Sequence, residues 1–206
     1  TYAWPFYGAL KRVWEDGAPV HTLATQVDTT LARLPEAARR LRFTTNHDET
    51  MWDAPPTVLF DGQEGAEAAF VLASSMPGVP LVYNGQELGV TDSVSFFART
   101  PYDWTQDPEA EAFYRDYLSF YRRSPALQGG RFTVHEPRTK DVLLYERATD
   151  TQTLFFAVNA RDVLTQVRIP EAYDGASLTD VLTGETASGE TLTLDAYEYR
   201  ILRVEE

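Results

Sequence analysis

FTTNHDET, residues 43–50, is the stretch on which the reading of this chain turns. It follows Leu41–Arg42 in a short β-prone run, LRFTT, and then sets four polar residues in a row, Asn46-His47-Asp48-Glu49. A parallel strand that ends this way carries an imidazole and two carboxylates to its exposed carboxyl end, where α/β enzymes keep their chemistry. The same letters would also serve as a polar turn closing a strand. The rest of the chain has to decide.

Outward from that stretch, residues 1–128 alternate helix with short strand. WPFYGALKRVWED has apolar residues at helical spacing, with Pro5 suited to a first turn. A second helix is expected from about Thr25 to Leu34, stopped near Pro35, and a longer one from Glu64 to Ser75, ended by Met76-Pro77-Gly78. VPLVY, residues 79–83, is the apolar run of a strand covered on both faces. EAEAFYRDYLSFYRRSPAL then reads as an amphipathic helix stopped at Ser124–Pro125. Its Phe113, Tyr114, Tyr117, Phe120 and Tyr121 recur at three and four residues, the spacing of a core stripe rather than a ligand platform.

After Gly129–Gly130 the period changes. RFTVHE, DVLLYERA, TLFFAVNA, TQVRIP, ASLTDVLTG, ETLTL and YEYRILRV are β-prone runs divided by turn residues, the pattern of an antiparallel β-sandwich. The fold class is therefore α/β followed by all-β, with a boundary that separates residues 1–128 from 129–206. Two confident strands in the first part cannot close a barrel or bury both faces of a sheet. Further strands are expected from an upstream segment or another chain, and the opening Thr1 in place of Met agrees with a longer parent.

Composition narrows the function. The 206 residues are 43% hydrophobic and 24% charged, as in a soluble globular protein, and apolar runs such as AAFVLASSM are too short to span a bilayer. No signal peptide is visible at the start. The formal net charge of −13 opposes a nucleic-acid surface, which needs a basic footprint. Lys11 and Lys140 are the only lysines among the cations, and excess Asp and Glu with scarce Lys suggests a hydrated surface of halophilic type. With no cysteine there are no disulfides or thiolate metal sites, and cellular location stays open.

FTTNHDE followed by MPGVPLVYNGQELG, residues 76–89, closely resembles the α-amylase family of glycoside hydrolases. The resemblance implies that the first motif ends the seventh strand of a (β/α)8 barrel and that the second carries the eighth. TYAWPFYGALKRVW resembles the segment after the sixth strand, YRRSPALQGG the last barrel helix, and SLTDVLTGE and YEYRILRV late strands of a C-terminal β-sandwich. A partial barrel plus sandwich is thus expected. The family's nucleophilic aspartate and its glutamate acid follow the fourth and fifth strands, upstream of Thr1, so hydrolysis is not expected from this chain alone. Retaining glycosidases need those two carboxyls about 5–5.5 Å apart.

The resemblance assigns Asp48 as the catalytic family acid that steadies a distorted, oxocarbenium-like ring, and His47, with Asn46, as partners of the sugar hydroxyls. Trp52 could stack on a sugar face or simply pack its loop. Asn84-Gly85 is first a turn signal, and Glu87 beside it could hold its loop. In FFARTPYDW, residues 96–104, Arg99 and Trp104 are candidates for subsite or loop-ordering roles. His21 and His135 read as structural or surface residues. No metal-ligand spacing occurs, and calcium, which many relatives bind, would be held by upstream segments; no cofactor is expected here. The expected partner is an α-glucan or maltooligosaccharide, with no nucleic acid and no membrane, and bare barrel faces would favour self-association. Hydrolysis, transfer and isomerisation of glucosyl units all stay open. A non-catalytic carbohydrate-binding or interaction module is the alternative.

Overall fold

Helix α1 (Trp4–Glu15) opens with Pro5 in its first turn and buries Phe6, Ala9, Leu10 and Val13, one face of a 3.6-residue period. The computed structural model describes residues 1–206 apart from Leu34, Glu36, Ala37, Pro137, Arg138, Ser188 and Glu206, and apart from the side chains of Thr30 and Leu31. Helix α2 runs Thr22–Leu31, so the helix end expected at Leu34 lies outside the described residues.

Strand β1 is only Leu41–Arg42 and β2 only Val79–Pro80. They pair in parallel, Leu41 with Val79 and Arg42 with Pro80, and Tyr2 bridges to Leu41 on the other side. Both strands are shorter than LRFTT and VPLVY suggest. A ladder needs a registered neighbour, and past Arg42 the side chains take over: Gln86 Nε2 donates to Thr44 Oγ1 at 2.8 Å. Two short helices, α3 (Glu49–Trp52) and α4 (Pro56–Leu59), follow β1.

Helix α5 (Gly62–Ser75) is buried on nearly every side from Gly65 onward, as its run of Ala, Phe, Val and Leu requires. Helix α6 (Pro108–Arg123) is capped by Asp107, whose carboxylate accepts from the N–H groups of Glu109 and Ala110 at 3.0 Å. Glu109 and Glu111 sit in its first turn, and Arg122 and Arg123 in its last, each matching the helix dipole. Tyr114 and Tyr117 are buried, with Phe113, Phe120 and Tyr121 partly so, which makes the aromatic stripe core. Helix α7 (Pro125–Gly129) leads into the β part.

Eight strands follow: β3 (Arg131–Val134), β4 (Val142–Ala148), β5 (Thr153–Asn159), β6 (Thr165–Arg168), β7 (Ser177–Asp180), β8 (Thr186–Ala187), β9 (Thr191–Leu194) and β10 (Tyr199–Glu205). They form an antiparallel six-stranded sheet, β3-β4-β5-β10-β7-β8, and a two-stranded β6-β9 ribbon. Alternation along β4 and β5 sends Leu143, Tyr145, Leu154, Phe156 and Val158 towards the helices. Val142, Leu144, Phe155 and Ala157 point instead to a second core with Val167, Leu192 and Leu194 of the ribbon. One hydrophobic core therefore runs across both parts of the chain. Among the described residues no helix is long and apolar enough to cross a membrane.

The junction is polar at its centre. Arg147 on β4 is buried and donates to the carbonyls of Ser75, Leu127 and Gly130, at the ends of α5 and α7. Tyr145 and Ser75 join hydroxyls at 2.5 Å. Arg161 donates to Val13 O at 2.6 Å and Ala18 O at 2.7 Å, beyond the end of α1, while Asp141 receives its Nε at 2.9 Å. His135, read from sequence as a structural or surface residue, lies 3.0 Å from the Tyr173 hydroxyl, which donates to Glu146 at 2.6 Å. Replacing Arg147 by Met would leave three buried carbonyls without their donor. The expected loss of stability is on the order of 3 kcal/mol or more, read from the urea midpoint at unchanged slope.

Candidate functional site

The turn after β1 is built by Asn46. Its side chain is buried, and its Oδ1 accepts from the N–H groups of Asp48 at 2.8 Å and Glu49 at 3.1 Å, so that residues 46–49 fold straight into α3. Asn46 Nδ2 and the neighbouring Thr45 Oγ1 are buried with no hydrogen-bond partner among the described residues. The turn directs His47 and Asp48 outward. Their side chains are 60% and 46% exposed, and His47 Nε2 lies 3.5 Å from Asp48 Oδ1. Asn46 is thus placed behind the exposed pair rather than beside it.

The turn is tied down from below. Asp53 Oδ2 receives the Tyr7 hydroxyl at 2.6 Å and Lys11 Nζ at 2.7 Å, both from α1. A further hydrogen bond joins Asp53 to Glu49, one helical turn earlier. Partial burial works upward on the Asp53 carboxyl, but the bonds from Lys11 and Tyr7 hold it below the usual carboxylate range. Glu49 goes the other way: burial first, then its hydrogen bond to Asp53 and the charge of that neighbour, push it up to about 7. Burial and the bond to Asp53 also raise the Tyr7 phenol.

Trp52 stands on the exposed side of α3, 74% accessible, with its ring edge-on to Phe96 at 5.7 Å. Phe96 N–H donates to Met51 Sδ at 3.2 Å, so the long loop after residue 89 meets α3 directly. Phe97 beside it is 91% exposed. Together with His47 and Asp48 these rings frame a face with both polar and aromatic groups. Arg99 is exposed on the same loop, but no hydrogen bond or ion pair to residues 46–52 is formed among the described residues. Trp104 packs on Tyr102 at 5.9 Å instead.

Gly85 has φ 92°, and a Cβ there would come within 2.2 Å of the Tyr102 ring, which accounts for the Asn84-Gly85 turn. Glu87 Oε2 accepts from Gly85 N–H at 2.9 Å and so holds its own loop. Gln86, to which sequence reasoning gave no role, is buried; its Nε2 also donates to the Tyr114 hydroxyl at 2.8 Å, joining the end of β1 to α6. Tyr7, Lys11 and Asp53 were likewise missed. The one available signal was the helical spacing of Tyr7 and Lys11, which puts a phenol and an ammonium on one side of α1. Among the described residues no group of three or more His, Cys, Asp or Glu could hold a metal ion.

Residues 132–201 match the family described as Maltogenic Amylase, C-terminal domain. The chain is 29% identical over 202 residues to alpha-amylase MalA of Haloarcula japonica, covering 92% of this chain and 28% of that protein. It is 28% identical over 152 residues to neopullulanase 2 of Thermoactinomyces vulgaris, covering 67% of this chain and 26% of that protein. The fold matches the crystal structure of the alpha-amylase from Geobacillus thermoleovorans complexed with acarbose, with a TM-score of 0.83 at 19% identity, over 98% of this chain and 47% of that one. The structure of AmyP complexed with maltose gives 0.75 at 17% identity, over 98% and 49%. The chain thus spans 28% or less of the first curated relatives it matches.

Glu49 allows a direct check. Its folded-state pKa lies above the unfolded value, so its contribution to stability is fully present below about pH 4.3 and is lost as pH rises through about 7. Glu49→Gln, which keeps a donor for Asp53 without the titration, should flatten the stability profile across that window. Chemical denaturation of both proteins at pH 4 and pH 8 measures it.

Proposed function

We propose that this chain is a C-terminal portion of an α-amylase-family glycoside hydrolase and that its residues 46–52 form one wall of an α-glucan site in a retaining enzyme. The observation that carries this reading is the side-by-side exposure of His47 and Asp48, 3.5 Å apart, on a turn that Asn46 and Asp53 hold rigid.

Asp48 bonds the hydroxyls of the sugar at the scissile linkage. As the ring flattens and gains positive charge, those hydroxyls become more acidic and their bonds to a fixed carboxylate strengthen, so the gain falls on the transition state. His47 grips the same sugar. Asn46 contributes from behind, by setting the turn. Trp52, with Phe96 at its edge, offers a flat face against which the C–H side of a pyranose would stack, and Arg99 closes the outer end of the loop. That solved relatives hold acarbose and maltose supports a maltooligosaccharide as ligand. The nucleophile and the proton donor are supplied by other polypeptide of the parent enzyme, since Asp48 and Glu49 are neighbours on one turn and Glu87 is engaged by Gly85. Calcium, where the parent binds it, belongs to that polypeptide too. The open edge of the β1-β2 pair, with Val79 44% exposed, favours self-association of the chain by itself.

In a protein that joins this chain to a barrel portion carrying both reacting carboxyls, Asp48→Asn should lower kcat on maltooligosaccharides by about 10²–10³, with a smaller change in KM. Full activity of that variant would end the reading. Light scattering on the chain by itself should show species larger than a monomer.

A further inference from the structure

The acidic balance of the chain breaks down in one place. Where β1, the turn before β2, α7 and the β3-β4 edge meet, arginines gather: Arg40, Arg42, Arg131 and Arg147. Two cavities adjoin there, sharing Gly78 and Gln128 in their walls. The first, roughly 270 Å³, is lined by Arg131 and Arg147, and the second, roughly 480 Å³, by Arg122. Among the described residues Asp28 is the sole acidic one in either wall.

The guanidinium groups behind this wall are buried and incompletely bonded. Arg147 is 2% exposed; its two Nη atoms reach carbonyls, but Nε has no hydrogen-bond partner among the described residues. Arg42 is 1% exposed. Its Nε donates to Pro77 O at 3.0 Å and its plane lies over the Phe6 ring at 4.5 Å, while both Nη atoms are without a hydrogen-bond partner among the described residues. Gly78, in the cavity wall, lies directly over it: a Cβ there would stand 2.7 Å from Arg42 Cγ and 2.8 Å from Arg40 O. Among the described residues the Arg131 guanidinium has only a 4.0 Å contact, with the fully exposed Asp150.

Buried donors are normally satisfied, and a buried cation without a counter-charge is costly. Burial and then the charges of Arg40 and Arg147 lower Arg42 to about 10, and burial lowers Arg147. The planar fork of arginine matches a tetrahedral oxyanion in a way that a lone ammonium does not.

We propose that this seam between the helical part and the sandwich binds an oxyanion of phosphate size, with Arg131 as its direct donor and Arg147 and Arg42, under Gly78, supplying positive field. The site lies apart from residues 46–52, and it does not depend on the glucan reading.

The test is thermal denaturation and calorimetric titration of the 206-residue chain with inorganic phosphate, and separately sulfate, each against sodium chloride at equal ionic strength. A saturable rise in Tm with the oxyanions beyond that with chloride is expected, because a ligand that binds only the folded state stabilises it. Arg131→Gln, a surface substitution that should leave folding intact, is expected to weaken binding at least about tenfold, whereas Arg168→Gln, an exposed change on β6, should leave it unchanged. Oxyanions no better than chloride would overturn the proposal, and so would an unaltered affinity in Arg131→Gln.

Discussion

A buried guanidinium stands at the joint between the two halves of this chain. Arg147 projects from β4, beside the edge strand of the large sheet, into the place where α5 and α7 end, and it meets their terminal carbonyls rather than a carboxylate. Helix C-termini carry unsatisfied C=O groups and partial negative charge, so the cation and the helix ends answer each other's needs. Ser74 and Ser75 close α5 with hydroxyls that meet Tyr117 and Tyr145, which extends the same polar centre to α6 and β4. Around it the packing is apolar and continuous, from Phe6 and Leu10 of α1 through Phe70 of α5 to Phe156 and Ile201 of the sheet. Direction comes from the polar centre, and most of the stabilisation comes from the apolar surround.

That arrangement sets the geometry of the exposed face. Helix α1 leans on α5 and on the sheet, and from α1 Tyr7 and Lys11 hold Asp53. Asp53 anchors α3, and Asn46 caps the turn that feeds it. Gln86 fixes the end of β1 to α6 from the other side. His47 and Asp48 are therefore held by elements that are themselves packed, which is what a group acting on a strained sugar ring requires. Their own bonds to the protein are few, as is fitting for side chains meant to meet a ligand.

Much of this was legible in the letters. The seven β-prone runs after Gly130 correspond to observed strands because each is rich in aliphatic, aromatic or β-branched residues and is bounded by turn residues. The helical stripe of α6 was equally plain. The two parallel strands were legible as motifs but overestimated in length, since strand length is set by neighbours in space and only Tyr2, β1 and β2 run side by side here. The exposed pair was found through its motif. The clamp beneath it was not, because Lys11 and Asp53 are distant in sequence and their partnership is created by the fold alone. Asn46 was assigned to the ligand on the strength of its position in the motif, whereas its Oδ1 serves backbone N–H groups.

The bonds of Arg161 bear on how the chain reaches its native state. The carbonyls of Val13 and Ala18 gain their donor from a residue up to 148 positions further along the sequence. Contacts that close loops of this size are slow to form, and nothing local can replace them. During synthesis the carbonyls of Val13 and Ala18 therefore wait for this donor until the polypeptide as far as Arg161 has left the ribosome. The sandwich reaches the helices that precede it late, which makes that interval the stage at which misassembly is most costly.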